Sequence, residues 1–234
     1  MVTTRERLLD VAAKELGEHG YAGASLNRIL AQAGVSKSSA YHHFSDKADL
    51  AVTVLERYWN VIETDKYFER AVVSAESFWP TLLEMHAHQL DLAKDAPWMW
   101  STLRCSRDIM MSMPADNPAI KRIEPMLRAL FDLFEGGRKL GVVRRDLPDS
   151  LLTSLMFAFD GAADSWLADH GKTLSRAKLR AIGAALQQMM FTIMAPMELQ
   201  NGKRTQTTRR VASTRSVPRI PKPRRSGKSS GVAR

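Results

Sequence analysis

Apolar side chains recur at intervals of three and four through residues 4–194, the spacing that lines one face of a helix, and no segment alternates long enough to read as a strand. Leu8, Val11, Ala12 and Leu16 form such a face in a helix predicted over 4–18. Thr3 and Glu6 have capping-box spacing at its start, and Gly20 stands where a left-handed stop belongs. Leu26, Ile29, Leu30 and Ala33 mark a second helix capped by Ser25. Ala33-Gly34-Val35-Ser36 then reads as a sharp turn, with glycine to redirect the chain, valine to plug the bend and serine to cap the next helix. That short third helix, over 37–43, is closed by Phe44, and Asp46 caps a longer fourth through Leu50, Val54, Leu55 and Tyr58. Further helices are expected from the 74–80 region to 95, from 97 to 113, and over 119–139, 149–169 and 175–194. Pro80 is expected in a first turn, where its missing amide leaves no helical bond unmade. The fold class is all-α, a three-helix head on a larger helical body, with about nine helices in total.

Residues 1–50 form the expected helix-turn-helix head, 51–200 the larger domain and 201–234 a basic tail. The net charge of +9 belongs to that tail. Eleven of the 34 Lys and Arg residues lie in 201–234, which has no Asp or Glu, so residues 1–200 carry 23 basic against 25 acidic side chains. An argument for nucleic acid must therefore rest on local geometry. The tail has few large apolar residues and is expected to be disordered; its charges either grip phosphates without sequence preference or are simply solvated. Cys105 is the one cysteine, so no intrachain disulfide can form. Its neighbours Arg104 and Arg107 are expected to lower its pKa slightly. No apolar run approaches the ~18 residues that span a bilayer, and residues 1–10 lack a signal-peptide core. A cytoplasmic location without a membrane partner is the expectation.

Two helices joined by a three- or four-residue turn can cross steeply enough for the second to enter the major groove of double-stranded DNA. With Val35, Ala40 and Phe44 turned inward, the entering helix would present Lys37, Ser38, Ser39, Tyr41, His42 and His43, with Ser36 at its start. Ser25, Arg28 and Lys47 are placed to hold phosphates, helped by free amides at the starts of the second and fourth helices. The run SLNRILAQAGVSKSSAYHHFSDKADL, residues 25–50, resembles the DNA-binding signature of the TetR family of transcriptional regulators. Ser25, Ile29, Ala33-Gly34-Val35-Ser36, Tyr41, Phe44, Lys47 and Leu50 match that pattern. Leu30 stands where alanine is usual, Ser38 where glycine or proline is frequent, and Ala40 where leucine or isoleucine is common. The resemblance implies a homodimer built on a C-terminal four-helix contact, two reading heads and a ligand cavity in each larger domain. It also implies that Tyr41 and Lys47 meet phosphates while residues 37–39 and 42 lie nearer base edges.

Trp79, His86, Trp100, Met110, Phe131 and Phe157 are the candidate pocket residues for a small apolar or amphipathic effector, although aromatic and methionine side chains suit a plain core equally well. His86 and His88 are two apart and point in different directions on a helix, which makes a poor metal pair. Ala158, Gly161, Ala162, Ala163, Gly183, Ala184 and Ala185 would let the last two helices approach a second copy, forming a two-fold bundle. Neither a P-loop, a dinucleotide fingerprint, a paired zinc motif nor a nucleophile elbow is present, so neither an enzyme nor a cofactor is expected. The expected function is a ligand-released repressor acting as a dimer on a palindromic operator. The alternative is a helical DNA-binding regulator without a small-molecule ligand, constitutive or controlled by a protein partner.

Overall fold

The computed structural model describes residues 2–114 and 116–200, which hold ten α-helices, a further helical stretch over 197–200 and no strand. The ten are α1 (Thr4–Gly23), α2 (Leu26–Ala33), α3 (Lys37–Tyr41), α4 (Lys47–Ile62), α5 (Thr64–Ala71), α6 (Ala75–Asp95), α7 (Trp98–Ser112), α8 (Ile120–Lys139), α9 (Asp149–His170) and α10 (Arg176–Met194). The all-α reading holds. The basic tail expected over 201–234 lies outside the described residues.

The start signals act as their chemistry requires. Thr3 Oγ1 accepts the Glu6 amide at 3.2 Å, and the Glu6 carboxylate accepts the Thr3 amide at 2.8 Å. Ser25, Ser36, Asp46, Ser74 and Ser175 each accept an amide three residues ahead. Several ends differ from expectation. α1 does not stop at Gly20 but kinks there, with φ of 67°, and runs to Gly23. α3 ends at Tyr41, two residues short of the expected 43. The added helix is α5, which continues directly from α4. Glu63 makes the break with a φ of 58°, a left-handed conformation that glutamate does not advertise.

Pro80 is the sixth residue of α6 and lies past the first turn, contrary to expectation. Ser74 and Ser77 compensate at the helix start by capping each other's amides at 3.2 and 3.0 Å. The Ser77 hydroxyl also donates to the Ala71 carbonyl at 3.2 Å, tying α6 to the end of α5.

Three apolar clusters organise the packing. Leu8, Leu16, Ile29, Leu50 and Leu55 from the first four helices pack with Cys105 and Ile109 of α7 and Ile123 of α8. Phe78, Leu133, Val143, Leu152 and Met194 form a second cluster. Tyr58, Leu90, Met99, Trp100, Leu167 and Leu179 form a third. α1 lies against α7 at close range, because a Cβ at Gly17 would stand 2.9 Å from the Ser101 carbonyl oxygen. Arg122 of α8 ties itself to α4: its Nε donates to Glu56 at 2.9 Å, its Nη2 to Thr53 at 3.1 Å, and the guanidinium also pairs with Asp49. Burial alone would raise the Asp49 carboxyl, yet the Ser45 amide and Arg122 hold it below the usual carboxylate range.

Candidate nucleic-acid interface and core cavity

Gly34 adopts φ 63° and ψ 37°, and its amide donates to the Ala31 carbonyl at 3.2 Å, so α2 ends in a left-handed turn. Val35 sits half-buried against the first cluster and its amide reaches the Leu30 carbonyl at 3.1 Å. Ser36 then caps α3 by accepting the Ser39 amide at 3.2 Å, and its hydroxyl stands 3.2 Å from that of Ser38. Ala40 and Phe44 are each 5% exposed and fix α3 to the head. The small Ala40 is therefore a buried contact, as its register requires.

The opposite side of α3 is free. Lys37, Ser38, Tyr41, His42 and His43 are exposed, and Ser39 is half-buried. The Lys37 ammonium lies 5.8 Å from the centre of the Tyr41 ring, and the His43 ring lies 6.3 Å from that of Phe44. The turn thus brings Ser36, Lys37, Ser38, Tyr41, His42 and His43 to one polar surface.

Arg28 and Lys47 have interior partners. Arg28 Nε donates to Glu15 at 2.7 Å and its Nη2 to the Gly23 carbonyl at 2.7 Å. Lys47 Nζ donates to the carbonyls of Tyr21 and Ala24 at 2.8 and 3.2 Å, and lies 4.7 Å from the centre of the Tyr21 ring. Both cations therefore bind α1 near its C-terminal end, and Lys47 also the Ala24 carbonyl that follows it, beside the half-buried cap Ser25. Glu15 completes this joint and was not among the expected site residues. Its side chain is fully buried and also accepts the Ser25 amide at 2.9 Å. Burial would raise its pKa, but Arg28 and the Ser25 amide bring it below the ordinary value. The signal was a carboxylate next to Leu16 on the buried stripe of α1, where a charge stands only if paired.

A second tie comes from α7. The Asp108 carboxylate accepts the Tyr21 amide at 2.5 Å, just past the Gly20 kink. Cys105, one turn earlier, is buried rather than activated. Burial pushes its thiol up to about 12, which reverses the expected effect of Arg104 and Arg107.

Within the helical body a cavity of about 180 Å³ is lined by Tyr58 and Trp59 of α4, Phe68 of α5, Met85 and Gln89 of α6, Met110 of α7, and Phe157 of α9, among others. Of the expected pocket residues, Met110 and Phe157 line it. Trp79 does not: its indole donates to the Val142 carbonyl at 3.1 Å and its ring packs edge-on against Phe78 and Phe191. Trp100 is 2% exposed and fills the third cluster. Phe131 is 52% exposed and borders an outer cleft with Glu135 and Asp149. His86 is enclosed one turn before Gln89, and its Nε2 has no hydrogen-bond partner. Burial lowers its pKa to about 4, so the ring is neutral at pH 7.

No group of His, Cys, Asp or Glu suited to a metal ion occurs among the described residues, and none of their helices is long and apolar enough to cross a membrane.

A polar reading face on a capped third helix, joined through a shared core to a larger helical body, defines a helix-turn-helix DNA-binding transcriptional regulator. Residues 8–54 match the family model of bacterial regulatory proteins, tetR family, so the head of this chain is of the TetR type. The HTH-type transcriptional repressor AcnR of Corynebacterium diphtheriae is 27% identical over 170 residues, which span 72% of this chain and 83% of that one. An HTH-type transcriptional regulator of Staphylococcus aureus is 35% identical over 63 residues, 27% of this chain and 34% of its own length. Among solved structures, the fatty acid degradation regulator FadR from Bacillus halodurans superposes with a TM-score of 0.55 at 16% identity, covering 80% of this chain and 94% of that one. A TetR-family transcription regulator from Shewanella sp. PV-4 gives 0.53 at 19% identity over 83% and 99% of the two chains. At these identities the likeness is one of fold.

Proposed function

We propose that this chain is a ligand-released repressor that binds a palindromic operator as a homodimer, with residues 1–50 as the reading domain and 51–200 as the effector and dimerisation domain. The observation that carries the reading is the exposed face of α3, with Lys37, Ser38, Tyr41 and His42 held outward by the buried Ala40 and Phe44. In this reading Tyr41 meets a phosphate, Lys37, Ser38, Ser39 and His42 lie near base edges, and Ser25, Ser36 and His43 flank them. Arg28 and Lys47 set the angle of α2 and reach phosphates from the same joint.

Dimerisation is supported by an apolar strip that a single chain leaves bare. Leu151, Leu155 and Trp166 of α9 and Met189 of α10 are 41–54% exposed. They share these two helices with the exposed Ala158, Ala162, Ala184 and Ala185, whereas Gly161 and Gly183 face Arg107 and Leu90 of the same chain, and two-fold pairing would build a four-helix contact. Such symmetry sets the two copies of α3 about 34 Å apart. The name of the corynebacterial relative supports repression as the direction of control.

Control by an effector is supported by the placement of α7. Met110 forms part of the cavity wall, and Asp108 on the same helix holds the Tyr21 amide in the head. A ligand that shifts α7 would move the head, provided it binds the two states with different affinity. The cavity volume favours the second reading, a regulator controlled by a protein partner, because small-molecule sites usually measure about 300–1,000 Å³. The deciding experiment selects bound fragments from the parent genome and titrates the recovered operator against metabolite extracts. A palindromic site released by an extract fraction supports the proposal. Recovery of a site whose affinity no fraction alters favours the partner-controlled reading, and failure to recover any site overturns both.

A further inference from the structure

The apolar cavity adjoins a larger space. An outer cleft of about 540 Å³ lies between the corner of α4 and α5 and the start of α8, with Glu56, Asn60 and Glu63 on one side and Arg122, Pro125 and Ala129 on the other. Trp59 of α4, Thr64 of α5 and Met126 of α8 line both the cleft and the cavity, so the two meet at these side chains. All three are half-buried, as a boundary between packed protein and open space requires. Met126 is unbranched and adapts to irregular space, so the boundary is one that a guest can move. Both walls are interrupted here. Glu63 breaks α4 from α5 with its left-handed φ, and Pro125 offers no amide to the carbonyl four residues earlier in α8.

The charges of the cleft are matched. Arg122 pairs with Glu56 and Asp49, and Lys66 with Glu63. An anionic ligand group would therefore find both cations taken and three carboxylates around it, those of Glu56, Glu63 and Asp65. Asp65 is unpaired among the described residues, but it is exposed, where a pair with a cationic group is worth little. Uncharged hydrogen-bonding groups are better provided for. The Asn60 side chain is exposed and has no protein partner among the described residues, which leaves its amide donors and its carbonyl acceptor to a ligand. The Thr64 hydroxyl donates to the Trp59 carbonyl at 3.4 Å and keeps its lone pairs for an incoming donor.

Arg122 connects the cleft to the head. Its Nη2 donates to Thr53 at 3.1 Å, its Nη1 grips Asp49, and the Asp49 carboxylate accepts the Ser45 amide at 2.8 Å, one residue beyond Phe44. A ligand group seated between Asn60 and Arg122 thus stands one side chain away from the carboxylate that secures the start of α4 next to the reading helix.

We propose that cavity and cleft form one site for an elongated, uncharged amphiphile. Its apolar end lies in the cavity against Phe68, Met85 and Phe157, and its neutral hydrogen-bonding head lies in the cleft on Asn60 and Thr64. The inference rests on the ligand-released reading above and names its ligand class. An apolar space of about 150 Å³ accommodates benzene, so the cavity of about 180 Å³ takes one aromatic ring. The cleft supplies the room that the cavity lacks, since its volume alone falls within the range of about 300–1,000 Å³ usual for small-molecule sites.

The test uses the full-length protein and three probes of one shape: 4-phenylbutanamide, 4-phenylbutanoate and 4-phenylbutylamine. Calorimetry at pH 7 is expected to show the amide binding about tenfold or more tightly than either ion, because only the amide enters without an unmatched charge. Asn60→Ala should weaken the amide about fivefold, the loss of one hydrogen bond, with an unchanged circular dichroism spectrum reporting its fold. Phe68→Trp, which fills the cavity, should weaken all three probes. Equal affinity for the amide and the ions, binding by none of the three, or an Asn60→Ala variant that binds the amide as wild type does overturns the proposal, and operator release by metabolite extract still decides the broader reading. Amide binding lost in both variants but without release of the operator would support the site and remove the ligand-released reading.

Discussion

The carboxylate of Asp108 on α7 accepts the backbone amide of Tyr21 at 2.5 Å, immediately after the Gly20 kink in α1. One residue of the helical body thus fixes the point at which the first helix turns toward the reading helices. Asp108→Ala leaves that amide without its partner, and hydrogen bonds to charged groups contribute about 1.5–3 kcal/mol. The expected result is a lowered urea midpoint together with faster hydrogen exchange at the Tyr21 amide. Unchanged exchange at Tyr21 would show that Asp108 does not hold the kink.

Glu15 gathers the Ser25 amide and the Arg28 guanidinium beneath α2. Glu15→Ala breaks this cluster and should cost roughly 2–4 kcal/mol of stability, toward the lower end because Arg28 reaches solvent. The folded-state pKa of Glu15 is lowered, so its stabilisation is present above the unfolded value and is lost as pH falls through the folded value. In denaturant titrations the gap between wild type and variant should therefore be widest at pH 7 and narrow as pH falls below 4.5.

Tyr41 is 48% exposed. Tyr41→Ala should weaken operator binding about tenfold or more, while stability changes by no more than about 0.5 kcal/mol. Lys37→Ala should lower the slope of log affinity against log salt by about one if the ammonium neutralises a phosphate, and leave the slope unchanged if it reads a base edge. Fluorescence anisotropy with the selected fragment measures both.

Asp160 provides a pH signature. Its folded pKa is raised, so the stability it contributes is present below the unfolded value near 3.8 and is lost as pH climbs through about 7. His86 acts in the opposite sense over part of this range, since its lowered pKa makes the folded state less stable as pH falls from 6.5 toward 4. Asp164, Tyr58 and Arg107 are the other ionisable groups nearby. The Asp160→Asn variant isolates the aspartate: its stability relative to wild type should rise between pH 5 and pH 8 by up to a few kcal/mol. A constant difference across that range would place Asp160 in contact with bulk water.

The eleven cations of residues 201–234 offer a separate handle on nonspecific affinity. Removing 201–234 should flatten the salt dependence of binding to random DNA by several units if those charges reach phosphates. An unaltered slope would leave them without that role.

The reading head was legible because each of its turns is made by a residue with a local chemical duty. Ser25, Ser36 and Asp46 cap, and Gly34 takes the left-handed conformation, so spacing alone revealed their order. The ends of helices were less legible. Glu63 breaks α4 without glycine or asparagine, and Pro80 sits in the second turn of α6, because neighbouring contacts override the local preference. The cavity was legible only in part. Met110 and Phe157 border it while Trp79 and Trp100 fill solid packing, and a periodic apolar face looks the same in both settings. Asn60 and Arg122 escaped notice because a polar residue on a helix reads as surface until the partner helices are in place.

The shared core of the first four helices with Cys105, Ile109 and Ile123 has an evolutionary consequence. A recombination joint at residue 50 would separate interlocking halves of one packed cluster, so a transplanted head would arrive without the surfaces that complement it. Lys37, Ser38, Tyr41 and His42 stand outside that cluster. New target preferences are therefore accessible to this lineage through single substitutions on α3, whereas exchange of whole heads demands matched changes on α7 and α8.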